Sequence, residues 1–322
     1  MDIPRISFID RLKGLCIIAV VMGHFIIWPL GIEDDFITSF VTSFHMPVFM
    51  FLSGFVISSS PSFCKSVRKV LQFIFPMLII GSLYVFFRHQ TIDSFFFDST
   101  KKGYWYLWVL SIFYLILSFL SQNNEGKTVN PKKETIFGIF VFCFFLFIKF
   151  LAPSRMTQFL SVDQCFNLWV PFFIGFMVRR YSLINYIRKY DWIPFISLLC
   201  YIVLFRFYVT GIKHIYLFLI LFSIPIFIFL FYKRENDDTL IERELARFGK
   251  NSLHIYIYHY FLLRSISLQE LGVWFYNSGN IFIEGVISLS ISILIAYVCV
   301  LVGNIFKEIP SLYKIVYGHI LK

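Results

Sequence analysis

Apolar residues run through this chain in long blocks separated by short polar connectors. Blocks of roughly 17–25 apolar residues are what a helix needs to cross a bilayer. Such stretches fall at residues 12–30, 36–59, 70–88, 104–121, 134–152, 165–179, 192–209, 213–232, 251–268 and 280–306. The sixth is short, and the ninth carries His254, His259 and Arg264. No Pro- or Gly-rich linker and no internal repeat divides the series. The pattern predicts an all-α fold, a polytopic membrane helix bundle of about ten transmembrane helices, in a single integral-membrane domain over 1–322 with no appended soluble domain.

The first block is interrupted in an informative way. Asp10, Arg11 and Lys13 precede the run, and His24 breaks it near its middle. At about 100° per residue, Lys13 and His24 share one helix face roughly 16 Å apart along the axis, with Asp10 within about 40° of that face. Polar groups at such depth are costly and usually functional.

Composition sharpens the class. Of 322 residues, 58% are hydrophobic and 15% charged, where a soluble domain is nearer about 25% charged. The first run lacks a small-residue cleavage site and reads as a retained helix. Placing the N-terminus in the cytoplasm puts 21 of the 29 Lys and Arg in inside segments. The positive-inside rule then sets both termini inside. This distribution absorbs most of the net charge of +10, so nucleic-acid binding need not be invoked; membrane lipid and an anionic cytoplasmic substrate suffice. The six cysteines show no metal-ligand spacing and read as buried free thiols.

Two further histidines fall at similar depth. His45 lies about 13 Å into the second stretch, beside Pro47, which withholds a donor and favours a kink. Ser53 and Gly54 allow close approach of a neighbouring helix. His259 lies about nine residues into the ninth stretch, on one face with Tyr256. Lys65, Arg68 and Lys69 form a basic cytoplasmic connector suited to lipid phosphates or to a phosphorylated cosubstrate. Trp105 and Tyr106 suit an interfacial aromatic belt, or stacking on a sugar. Arg206 and Arg264 are the outer-half charges best placed to face a cavity. Leu240 to Phe248 has the spacing of an amphipathic helix on the membrane surface. No phosphate loop, GxSxG elbow, HExxH or paired-carboxylate motif is present.

Taken together, Asp10-x-x-Lys13-Gly14 with His24, Phe44-His45-Met46-Pro47 leading to Phe51-Leu52-Ser53-Gly54-Phe55, the basic Lys65 to Lys69 stretch with Pro76, Trp105-Tyr106-Leu107, and Gly249-Lys250-Asn251-Ser252 with Tyr256-x-x-His259 resemble the acyltransferase-3 family. The likeness is to its fucose 4-O-acetylase-like branch of bacterial envelope O-acetyltransferases. Many relatives carry Arg where this chain has Lys13, which trades a planar fork for a point charge.

The resemblance implies an enzyme of the bacterial cytoplasmic membrane. It would pass an acetyl group from acetyl-CoA to a hydroxyl of an envelope glycan or lipid-linked sugar, without a metal. On this reading His24 is the base or acyl carrier, Asp10 orients the cation at the mouth, and His45 and His259 position the acceptor or stabilise the oxyanion. Lys13, Lys65, Arg68 and Lys69 hold the CoA phosphates. Trp105, Tyr106, Ser53, Tyr256, Arg206 and Arg264 line the acceptor side. The residues alone also allow a transporter or flippase of a lipid-linked glycan, because intramembrane His, Lys and Arg mark such pathways too. A scaffold using histidines as inter-helix glue is the third reading.

Overall fold

A computed structural model describes residues 7–33, 35–121, 130–190, 192–212, 215–233 and 239–318. Residues 122–129, which the sequence reads as part of a polar cytoplasmic linker over 122–133, and Arg5, Lys127, Lys213, Arg234 and Lys322 among the counted charges, lie outside the described residues. All regular structure described is helical. In chain order the helices are α1 (Ser7–Ile27), α2 (Phe36–Phe55), α3 (Phe63–Phe87), α4 (Ile92–Phe96), α5 (Trp105–Ser121) and α6 (Pro131–Leu151). They continue with α7 (Ser154–Leu160), α8 (Val162–Arg180), α9 (Ile184–Lys189), α10 (Trp192–Val209) and α11 (Tyr216–Lys233). The last are α12 (Leu240–Lys250), α13 (Ser252–Ser265), α14 (Gln269–Ser278), α15 (Ile281–Lys307) and α16 (Pro310–Val316).

Every predicted stretch holds a helix. Among the described residues five helices (α2, α3, α6, α10 and α15) are long and apolar enough to span alone, and α7 with α8, bent by 43°, makes a sixth. Helix α1 differs because Asp10, Arg11 and Lys13 lie in its first two turns. Helices α5 and α11 are apolar but shorter. One boundary moves. Lys65, Arg68 and Lys69 belong to the opening turns of α3, which starts at Phe63 and not near Val70. Of the cysteines, Cys16, Cys165 and Cys299 are buried, whereas Cys64 and Cys143 are exposed.

Sequence signals set several starts. Asp35 Oδ2 accepts from the Ile37 and Thr38 amides at 2.8 and 3.2 Å, capping α2. Asn130 caps α6 ahead of Pro131. Thr239 caps α12 by accepting from the Glu242 amide at 3.2 Å.

The chain divides into two compact units. One contains residues 1–54 and 177–304. Within it α12 packs along the start of α1, α13 touches α1 further on, and α10 pairs with α11. The α1/α12 crossing is close. A Cβ on Gly14 would stand 1.9 Å from Leu245 O, and one on Gly249 would stand 1.7 Å from Asp10 O. Small residues permit this approach. Arg11 Nη1 donates to Glu242 Oε2 at 3.0 Å with both side chains buried. At the far end, Leu268 N donates to Pro29 O at 2.8 Å, and Gly272 lies against Leu30 O. The segment from α12 to α14 therefore grips α1 at both ends and runs parallel to it. Its amphipathic part has a buried face, but that face lies on protein.

The second unit contains residues 55–176 and 305–322. There α3 packs along α5, and α16 rests on α3. Trp169 Nε1 donates to Gly138 O at 2.9 Å, joining α8 to α6.

Candidate active site

The parallel run of α1 with α12 and α13 places two histidines edge to edge. Gly249 faces α1 beside Gly14, and ten residues on in both segments His259 meets His24. His24 Nδ1 and His259 Nε2 are 3.0 Å apart. The two rings are nearly coplanar, 3° apart, with centroids 5.3 Å apart. That is the geometry of an in-plane hydrogen bond, since a face-to-face stack would bring the centroids closer. His259 is fully buried, with 0% exposure, while His24 keeps partial exposure.

On its other side His24 stacks against Trp28, with centroids 4.4 Å apart and planes 11° apart. Trp28 follows one turn after His24, so the helix spacing itself creates this contact. The Arg264 guanidinium lies over the Trp28 ring, 4.0 Å from its centre, an arrangement favoured by the ring's negative face. Tyr260 closes the cluster, 5.4 Å from the His24 ring and 5.6 Å from Trp28. Tyr256 is buried, its ring 6.2 Å from that of His259.

The second histidine of the expected trio, His45, is buried on α2. His45 Nδ1 is bonded to Val41 O of its own helix. A carbonyl only accepts, so Nδ1 carries the proton and neutral His45 presents a bare Nε2.

The remaining expected residues divide by unit. In the unit that holds the histidines, Asp10 is buried under α12, and Lys13 is partly exposed on the same helix as His24. Ser53 donates its hydroxyl to Phe49 O of its own helix at 2.9 Å, and Arg206 is exposed near the end of α10. In the other unit, Lys65 and Arg68 are exposed, while Lys69 donates to Gln72 at 3.1 Å and lies 5.2 Å over the Phe73 ring. Tyr106 is buried within that unit at 6% exposure, so the expected aromatic belt applies there to Trp105 alone. Trp28, Tyr260 and the Arg11–Glu242 pair are absent from the sequence-based set. The one-turn spacing of Trp28 from His24, and the adjacency of Tyr260 to His259, were the available signals.

A base with a free nitrogen can take a proton from a hydroxyl or attack an acyl carbon. Fold and site thus define a polytopic helical membrane protein with a hydrogen-bonded imidazole pair. Residues 6–302 match the acyltransferase domain family, and the chain belongs to that family, acyltransferase-3. A stretch of 139 residues is 31% identical to Nodulation protein NolL of Sinorhizobium fredii (strain NBRC 101917 / NGR234), covering 37% of this chain and 38% of that protein. Another of 134 residues is 27% identical to Nodulation protein NolL of Mesorhizobium japonicum (strain LMG 29417 / CECT 9101 / MAFF 303099), covering 36% of each. The match spans little more than a third of the length of these curated relatives. No solved structure matches the chain. Acyltransferase-3 is the family which the sequence motifs resemble.

Proposed function

We propose that the chain is an O-acetyltransferase of the bacterial cytoplasmic membrane. It moves the acetyl group of cytoplasmic acetyl-CoA to a hydroxyl of an envelope polysaccharide or its lipid-linked precursor. The observation that carries this reading is the partly exposed imidazole of His24, held in a hydrogen bond by a fully buried partner within an acyltransferase-3 chain. His24 Nε2 takes the acceptor proton as the hydroxyl oxygen bonds to the thioester carbonyl carbon. The C–S bond breaks, and the departing thiolate receives that proton. Lys13, on the same helix, is assigned to the donor's phosphates. The basic face Lys65, Arg68 and Lys69 of the other unit is by itself a phosphate-binding surface, for donor or lipid headgroup.

The test is His24→Ala, assayed in membranes with labelled acetyl-CoA and by the O-acetyl content of the envelope polysaccharide. Transfer is lost while the protein still inserts and accumulates. Near-normal transfer by this variant would refute the assignment. Failure of the wild-type protein to bind acetyl-CoA would point to a glycan flippase instead.

A further inference from the structure

The hydrogen bonds of His259 fix the protonation pattern of His24. Nδ1 of His259 lies 2.9 Å from Ile255 O. The carbonyl has only lone pairs to offer, so Nδ1 carries the proton, and Nε2 of neutral His259 is an acceptor. Its neighbour at 3.0 Å, His24 Nδ1, must then be the donor. That leaves the proton-free nitrogen of His24 at Nε2.

We infer that His259 is a positioning residue that holds His24 in the Nδ1–H tautomer, so that Nε2 is the base that meets the reactants. The inference rests on the reading of His24 as the transfer base. It assigns His259 a role different from oxyanion stabilisation. Both of its nitrogens are engaged, one by Ile255 and one by His24, and its ring is fully buried. No N–H of His259 is left to donate to a reacting oxygen.

The arrangement serves each step. Before reaction, the lone pair of His259 Nε2 makes the wrong tautomer of His24 costly, since two bare nitrogens would then face each other without a proton. During reaction, the acceptor O–H proton moves to His24 Nε2, an O–C bond forms and the thioester C–S bond breaks. The imidazolium so formed donates to His259 through a charge-assisted bond, which is shorter and stronger than its neutral counterpart. Transfer of the Nε2 proton to the thiolate restores the starting tautomer. Burial of His259 keeps water from competing for the Nδ1 proton. Trp28, stacked on His24 at 4.4 Å, holds the ring plane that the in-plane bond requires.

Two measurements test this. The first is solid-state ¹⁵N spectroscopy of the full chain in lipid bilayers with ring-labelled histidine, at a pH where imidazoles are neutral. The His24 signals are identified by their loss in His24→Ala. The expected result is a protonated Nδ1 and a bare Nε2 on His24; a protonated Nε2 overturns the inference. This readout does not depend on activity, so it stands even if acetyl transfer is not the reaction.

The second compares His259→Asn with His259→Gln in acetyl transfer. Asn keeps a donor near Ile255 O and offers no acceptor at the outer position. Gln places an amide oxygen there. Asn should lower kcat by about 10²–10⁴-fold with KM for acetyl-CoA unchanged, and Gln should retain at least about tenfold more activity than Asn. If Asn matches wild type, or Gln is no better than Asn, His259 is a packing residue and the inference fails. If either variant does not accumulate, the wild-type spectra decide alone.

Discussion

Gly249→Ala tests whether the close crossing of α1 and α12 supports the site. The added methyl would stand 1.7 Å from the main-chain oxygen of Asp10, 2.6 Å from its carbonyl carbon and 3.0 Å from the Gly14 amide nitrogen. All three are backbone atoms, so no side chain can swing aside. Ordinary carbon contacts lie near 3.5–4.0 Å, and the helices must part by roughly 1.5–2 Å. Arg11, the next residue after Asp10, bonds Glu242 of α12 at 3.0 Å in the same crossing. Parting of that size takes the pair out of hydrogen-bond range. Overpacking alone costs about 1–3 kcal/mol, and an opened buried ion pair moves the total towards about 3–5 kcal/mol.

The assay is thermal unfolding of the purified full chain in detergent, followed by tryptophan fluorescence. A destabilisation of about 3 kcal/mol should lower the midpoint of this 322-residue chain by about 4–5 °C. Gly285→Ala is the control. It too is inside a helix, yet its nearest neighbour is the Ile37 Cδ1 atom at 3.5 Å, an ordinary contact. Alanine there gains up to about 1 kcal/mol of helix propensity, so its midpoint should hold or rise. A Gly249→Ala midpoint equal to wild type, or the same response from both glycines, would refute the argument.

Glu242→Leu leaves Arg11 buried without its carboxylate and should cost about 3–5 kcal/mol, whereas the double variant Arg11→Met, Glu242→Leu should recover most of that loss; the same unfolding scan checks both. Lys101, in the turn before α5, is fully buried and donates to Asp98 O and Gln158 O at 2.8 and 2.7 Å. Burial pushes its ammonium down to about 8, against the opposing pull of Asp98. Below that pH both folded and unfolded chains carry the proton, and the folded state bears the buried charge. From about 8 up to the unfolded value near 10.4 the unfolded chain binds more protons, so stability rises with pH across that window. The neutral amine still has two N–H groups for its two carbonyls. Melting scans of wild type against Lys101→Met should show this rise only in wild type.

The helices were legible because apolar length is a strong signal and tertiary packing cannot cancel it. Their ends were less so. Lys65, Arg68 and Lys69 read as a connector because they are charged, yet Lys and Arg are good helix formers and α3 simply continues through them. Helices of five to ten residues such as α4 and α14 are too short for periodicity to show. The histidines were legible as three groups at one depth, but depth does not say which pair touches. One pattern in the chain does: a glycine precedes a histidine by ten residues at Gly14 and His24, and again at Gly249 and His259. When the two glycines set the crossing of two parallel helices, equal rise brings the two histidines together.

That crossing also separates two cations that the sequence leaves equivalent. Arg11 and Lys13 are both at the charged end of α1, but two residues turn the helix by about 200°. Arg11 points at α12 and is neutralised there by Glu242, with a further bond to Ser7 Oγ at 3.0 Å. Asp10 is covered by the same helix. Lys13 is partly exposed and lies within about 20° of the face that carries His24. Helix α1 can therefore begin with three charges because α12 buries two of them. The third, on the histidine side, is the cation assigned to the donor. A structural role for Arg11 and a binding role for Lys13 make opposite demands. Arg11 must match one carboxylate at fixed distance, whereas Lys13 needs only a positive charge on a flexible stem, which is what lysine supplies.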